Sequence, residues 1–152
     1  MKKCMLLLVL LAATAAWADT TQITDFDTLM GALNQGEQVR VIIRYGDCKL
    51  IADNEETKAP NAVGGMDIDV FEYFAPGCIG NPKGFVVFSH ASLINHRGFI
   101  YNYAKIKVSD DNTVKITAQY TDPKTFELKM DEAFYSTIND GKQGAVYFYK
   151  AE

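Results

Sequence analysis

Ser89 and His90 stand side by side in the 152-residue chain, with Asp67 and Asp69 upstream. A hydroxyl, an imidazole and an orienting carboxylate are the parts of a serine hydrolase. The setting argues against that chemistry. No G-x-S-x-G turn surrounds Ser89, and neighbouring residues of a strand point to opposite faces. The same His90, joined by His96 and by Asp67 and Asp69, offers the donor types that suit zinc or a similar ion. Six residues across a connection is not a ligand spacing, and ordinary polar positions account for both histidines. Asp67, Asp69 and Glu72 form an acidic group of the kind that can exchange protons. Alternation puts Asp67 and Asp69 on one exposed strand face, where solvated carboxylates are the plainer reading. No catalytic residue, metal or cofactor is expected.

Cys48 and Cys78 are the two cysteines beyond the N-terminal segment. They have no C-x-x-C spacing and no neighbouring histidine, so an exported chain would use them as a structural disulfide. Eight tyrosines and nine phenylalanines make a heavy aromatic load. Tyr101, Tyr103, Tyr120, Tyr147 and Tyr149 fall in strand-like runs whose alternation brings several to one face. Tyrosine combines apolar area with a polar tip, so these five residues are the expected ligand or partner surface. The alternative is plain sheet packing.

These residues hang on a few elements. Phe85–His90 is short, apolar and β-branched, as a buried strand is. A polar connection, ASLINHR, leads to a second strand over 98–108. There Ala104, Ile106 and Val108 alternate with Lys105 and Lys107. The two form the central antiparallel pair. Before them, Ile23–Gln35 reads as an amphipathic helix. Thr24 or Asp25 caps it, Phe26, Leu29, Met30 and Leu33 make its apolar stripe, and Gly36 ends it. Strands are expected over 38–45, 66–74, 113–120 and 126–130, with a bulge or break at Glu132, the next position on the same face. A hairpin is expected around NDGKQG, with 134–138 and 145–150 as its arms. Residues 50–65 read as a solvated loop. The fold class is mainly β (α+β): one N-terminal amphipathic helix packed on a curved antiparallel meander or partly closed barrel of seven to eight strands.

Lys2 and Lys3 precede the apolar run MLLLVLLAATAA, and Ala16-Trp17-Ala18 supplies a small-x-small cleavage pattern. Residues 1–18 are therefore expected to be a signal peptide, with 19–152 a single β domain that is periplasmic or secreted. The run is short for about 30 Å of hydrocarbon, and no second one follows, so no integral membrane segment remains after cleavage. The formal charge of −4 becomes −6 when both lysines leave. An acidic chain without a basic run does not suit nucleic acid or an anionic membrane surface.

The helix ending in Leu33-x-x-Gly36 leads on to Val39-x-Val41 and Cys48. Ile79-Gly80-Asn81-Pro82, the Phe85–Ser89 strand and Tyr101-Asn102-Tyr103 complete a pattern that resembles the VirK family of small exported bacterial proteins. The resemblance implies export, a shared fold and an association, by name, with virulence. It supplies no catalytic residue. The expected function is that of an exported, non-enzymatic binding or accessory protein for an unidentified protein or a small apolar ligand. The alternatives are a barrel that binds an apolar ligand, or a metal-dependent enzyme using the His90/His96 region.

Overall fold

The computed structural model describes residues 20–151; the expected signal peptide, with Cys4 and Trp17, lies outside them. In chain order the strands are β1 (Thr20–Ile23), β2 (Val39–Arg44), β3 (Lys49–Ala52), β4 (Glu55–Thr57), β5 (Val63–Asp67) and β6 (Glu72–Phe74). The long strands β7 (Phe85–Asn95), β8 (Phe99–Ser109), β9 (Thr113–Thr121) and β10 (Leu128–Thr137) follow, and β11 (Val146–Ala151) closes the chain. Helix α1 (Phe26–Asn34) separates β1 from β2. A four-stranded sheet runs β1-β11-β2-β5 and a seven-stranded sheet runs β4-β3-β10-β9-β8-β7-β6. Every strand pair is antiparallel. The mainly β class with one helix is as expected. The chain builds two sheets rather than one meander, and they do not close into a barrel.

The helix forms where its caps place it. Asp25 accepts from the Thr28 amide at 2.8 Å, a bond that holds its carboxyl below the usual carboxylate range. Gly36, at φ +72°, donates to Leu33, and Glu37 donates back to Ala32, a glycine-ended C-terminus. Phe26, Leu29, Ala32 and Leu33 are buried; Met30 is only half-buried, and Ala32 takes the place expected for it.

Between the sheets, Ile23, Val39, Val41, Ile43, Val146 and Phe148 from the four-stranded side are fully buried. They meet a cross-strand row, Leu50–Phe134–Ile116–Ile106–Phe88, from the other side. Phe88 and Phe148 touch edge to face across the layers at 6.3 Å. Each such side chain contributes about 1.5–3 kcal/mol by leaving water. The outer face of the seven-stranded sheet sets Lys107 opposite Lys115, which costs stability in itself. Each ammonium turns to a ring instead, Lys107 to Phe85 at 3.9 Å and Lys115 to Tyr135 at 5.6 Å.

Several expectations are corrected. Residues 50–65 are not a loop. Asp53 and Asn54, both at positive φ, make a two-residue turn that joins β3 to β4, and β5 begins at Val63. The strand read over 66–74 is two strands in different sheets, because the chain crosses between layers after Asp67. The NDGKQG segment is not a hairpin. Its arms, β10 and β11, belong to different sheets, and Ile138 meets Val146 in a parallel bridge. The turn itself forms: Asp140 accepts from the amides of Lys142 and Gln143. Buried Asn139 then holds the crossing by accepting from Gly141 and donating to the Gly144 carbonyl at 2.7 Å. The register slip in β10 lies between Leu128 and Met130 rather than at Glu132, which stays in the ladder opposite Ala118 and Ala52.

Cys48 and Cys78 are not joined: both are free thiols. Cys48 is buried just before β3, while Cys78 is exposed just after β6. These strands stand five places apart in the sheet order, about 24 Å along the sheet at about 4.8 Å per strand. A disulfide needs Cα atoms within about 7 Å.

Candidate functional site

The four long strands outrun the layer that covers them. In β7 the buried residues end at Phe88, and in β8 they begin only at Ile106. In β9 they end at Ile116, and in β10 Phe134 is the buried one. The rest of these strands forms a half-sheet on whose inner face no side chain is fully buried. The ladders carry the alternation straight on from the core rows. The inner face of the overhang therefore presents His90, Ser92 and Ile94, then Ile100, Asn102 and Ala104, then Ala118 and Tyr120, then Met130 and Glu132.

At its root this face meets the segment around β5. Tyr45 stacks edge to face on Phe134 at 4.9 Å, and its amide donates to Ala62. Burial, then the neighbouring Cys48 and Tyr120, pushes the Tyr45 hydroxyl above its usual range, so it stays a neutral donor. Gly64 is what lets that ring lie flat: a Cβ there would stand 2.9 Å from Tyr45 Cε2. The result is a cleft of about 200 Å³ lined by Tyr45, Pro60, Ala62, Asn102, Ala118, Tyr120, Met130, Glu132 and Phe134. His96 comes over from the β7–β8 turn to within 5.9 Å of the Tyr120 ring. An amide, a carboxylate, two phenol hydroxyls and an imidazole thus rim an apolar floor that includes an adaptable methionine.

The five tyrosines do not share one surface. Tyr120 is on the inner face of the overhang. Tyr101 and Tyr103 are on its outer face, one register step away. Tyr147 and Tyr149 are on the outer face of the four-stranded sheet, stacked on each other at 6.5 Å with the Arg44 guanidinium over Tyr147. The histidines and aspartates are also apart. His90 and His96 belong to the overhang, whereas Asp67 ends β5 and is held by Arg40 at 3.1 Å. Asp69 lies in the connection from β5 to β6. Among the described residues no three of histidine, cysteine, aspartate and glutamate converge as metal ligands. Ser89 and His90 point to opposite faces, as alternation requires. Tyr45, Asn102, Met130 and Glu132 were not expected at a site from the sequence. Glu132 carried a signal, an acid at an inward phase of β10, which marks where the covering layer stops. No helix among the described residues is long and apolar enough to cross a membrane.

A profile of the VirK protein family matches residues 22–126, more than half the chain. No curated protein sequence matches. Among solved structures, the crystal structure of lpg1832, a VirK family protein from Legionella pneumophila, superposes with a TM-score of 0.63 at 9% identity. The match covers 84% of this chain and 97% of that one. So low an identity carries the fold alone, and it agrees with the sequence profile. The chain belongs to the VirK family.

Proposed function

We propose that the protein is exported and acts as a non-enzymatic binding protein that takes a polypeptide partner on the overhanging half of its long sheet. The observation that carries this reading is the inner face of the overhang, where strands built to the same alternation as the core continue without a fully buried side chain. Mixed chemistry favours a polypeptide over a small apolar ligand: Asn102, Glu132 and two tyrosine hydroxyls answer backbone and side-chain polar groups, while Met130, Ala118 and Phe134 supply apolar contact. The space between the two sheets is occupied by the chain's own valines, isoleucines and phenylalanines, which leaves recognition to the surface. Export rests on the pattern of residues 1–18, and a virulence-associated role rests on the family resemblance. The test is retention of a partner from a periplasmic extract on the immobilised protein. Tyr120→Ala abolishes retention and Tyr149→Ala leaves it intact if the reading holds; the reverse pattern overturns it.

A further inference from the structure

Strand β6 pairs with β7 only as far as Val87, and the β7–β8 turn begins at His96. From Ser89 to Asn95, β7 has β8 on one side and, among the described residues, no strand on the other. Gly84 accepts from Asp110, and His96 donates to Gly98, so even-numbered residues of this hairpin direct their backbone polar groups at β8. The odd-numbered Ser89, Ala91, Leu93 and Asn95 therefore direct theirs at the open edge. Exposed edges usually carry charges, proline or a bulge that prevent pairing. The edge at β4 has Glu55 and Glu56, and the β10 edge has Lys129, Asp131 and a register slip. Ser89–Asn95 has no proline, no acid, no lysine and no arginine. Leu93, Phe99 and Tyr101 stand exposed on the outer face beside it.

We infer that this edge pairs with the same edge of a second copy, antiparallel about Ser92, to join two seven-stranded sheets into one. The inference concerns self-association and does not depend on which partner the inner face takes. The register is set by the geometry. The open window is bounded by β6 at one end and the turn at the other, and Ser92 is its centre, so a two-fold axis there pairs the whole window. Ala91 then faces Leu93 of the second copy, and Ser89 faces Asn95. These are the residues whose backbone groups point outward, so about eight hydrogen bonds form, two for each facing pair. Ser92 meets its own copy as a non-hydrogen-bonded pair, with side chains close. On the outer face Leu93 lies against small Ala91, across which Tyr103 of the second copy reaches it. Just past Val87 a cleft of about 280 Å³, lined in part by Val70, Phe71 and Glu72, receives the turn of the second copy. That turn brings Arg97, which makes no ion pair among the described residues, beside Glu72. By symmetry both ends of the contact gain this opposite-charge meeting.

The test is the molecular mass of the protein, purified after export, across a concentration series. The wild type is a dimer. Leu93→Pro removes a donor that is unbonded within the chain, which an edge strand tolerates. It raises the dimer dissociation constant by about 100-fold or more with an unchanged circular dichroism spectrum. Should that variant misfold, Ala91→Lys, at an exposed position, must give the same loss. In Ser92→Cys, oxidation links two copies through the introduced cysteine, whereas in Thr117→Cys it does not. A wild type that stays monomeric at about 100 µM overturns the inference. So does a dimer that survives both variants, or one that Ser92→Cys does not cross-link.

Discussion

Cys48 shows how far one thiol's surroundings can move it. Burial, and then the Asp47 carboxylate, push it from its ordinary value of 9.0 up to about 11. Between these limits the folded chain keeps a proton that the unfolded chain has lost. Stability from this group is therefore full below about pH 9 and declines as pH rises towards 11. We predict that wild type loses about 1 kcal/mol more than Cys48→Ala over that interval, a figure reduced for partial solvent screening. Urea melts at pH 8.5 and 10.5 measure it, and parallel losses in the two proteins would contradict the assignment. A thiol reagent at pH 8 should label exposed Cys78 quickly and Cys48 only as the chain opens. Gly144 is the other residue with a sharp expectation. It sits at φ +95°, and a Cβ would stand 2.5 Å from the Ile138 carbonyl oxygen. Gly144→Ala should cost about 2–4 kcal/mol through backbone strain at the sheet crossing. A loss under about 0.5 kcal/mol in a denaturant melt would show that the crossing can shift.

Elements divide by whether a layer covers them, and substitutions should divide the same way. Ile116 and Tyr120 point to the same side of β9, but Ile116 is fully buried and Tyr120 is not. We predict about 2–5 kcal/mol for Ile116→Ala and about 1 kcal/mol or less for Tyr120→Ala. Equal costs in chemical denaturation would mean that the overhang is core after all. The elements also show what the sequence disclosed. Alternation in Val114–Tyr120 and Ala104–Val108 gave correct inward faces, and Asp25 and Gly36 marked α1 almost to the residue. Strand lengths were less legible: residues 91–95, expected in a connection, continue β7, and the runs expected over 126–130 and 134–138 are one strand, β10. What stayed hidden was sheet membership. Residues 134–150 have the look of a hairpin because Asp140 and Gly141 do make a turn, yet side-chain bonds of Asn139 send the chain to the other layer. Residues 50–65 were too polar to read as strands because β4 is an exposed edge whose three residues face water. The disulfide failed for a related reason: no local signal says that Cys48 and Cys78 flank strands five places apart in one sheet. The inner-face site was legible only in its tyrosine, since Asn102, Met130 and Glu132 become neighbours through pairings beyond the reach of local pattern.

At the scale of the molecule, two sheets enclose a filled core and one of them continues past it. That continuation is where we propose that a partner binds. It also separates this reading from a metal-dependent enzyme built on His90 and His96. If those histidines only rim the overhang, His90→Gln with His96→Gln changes stability by no more than about 0.5 kcal/mol, and a strong chelator leaves both melts unmoved. A chelator-induced drop that disappears in the double variant would favour the enzyme, because metal binding free energy becomes folding free energy. The central claim is most directly tested by site-specific photo-crosslinking in cells that export the protein. A benzophenone amino acid replaces Tyr120 in one strain and Tyr149 in another. The account predicts a discrete adduct from position 120, of a mass other than twice the chain, and none from position 149. Adducts from position 149 alone would place recognition on the four-stranded sheet and contradict it.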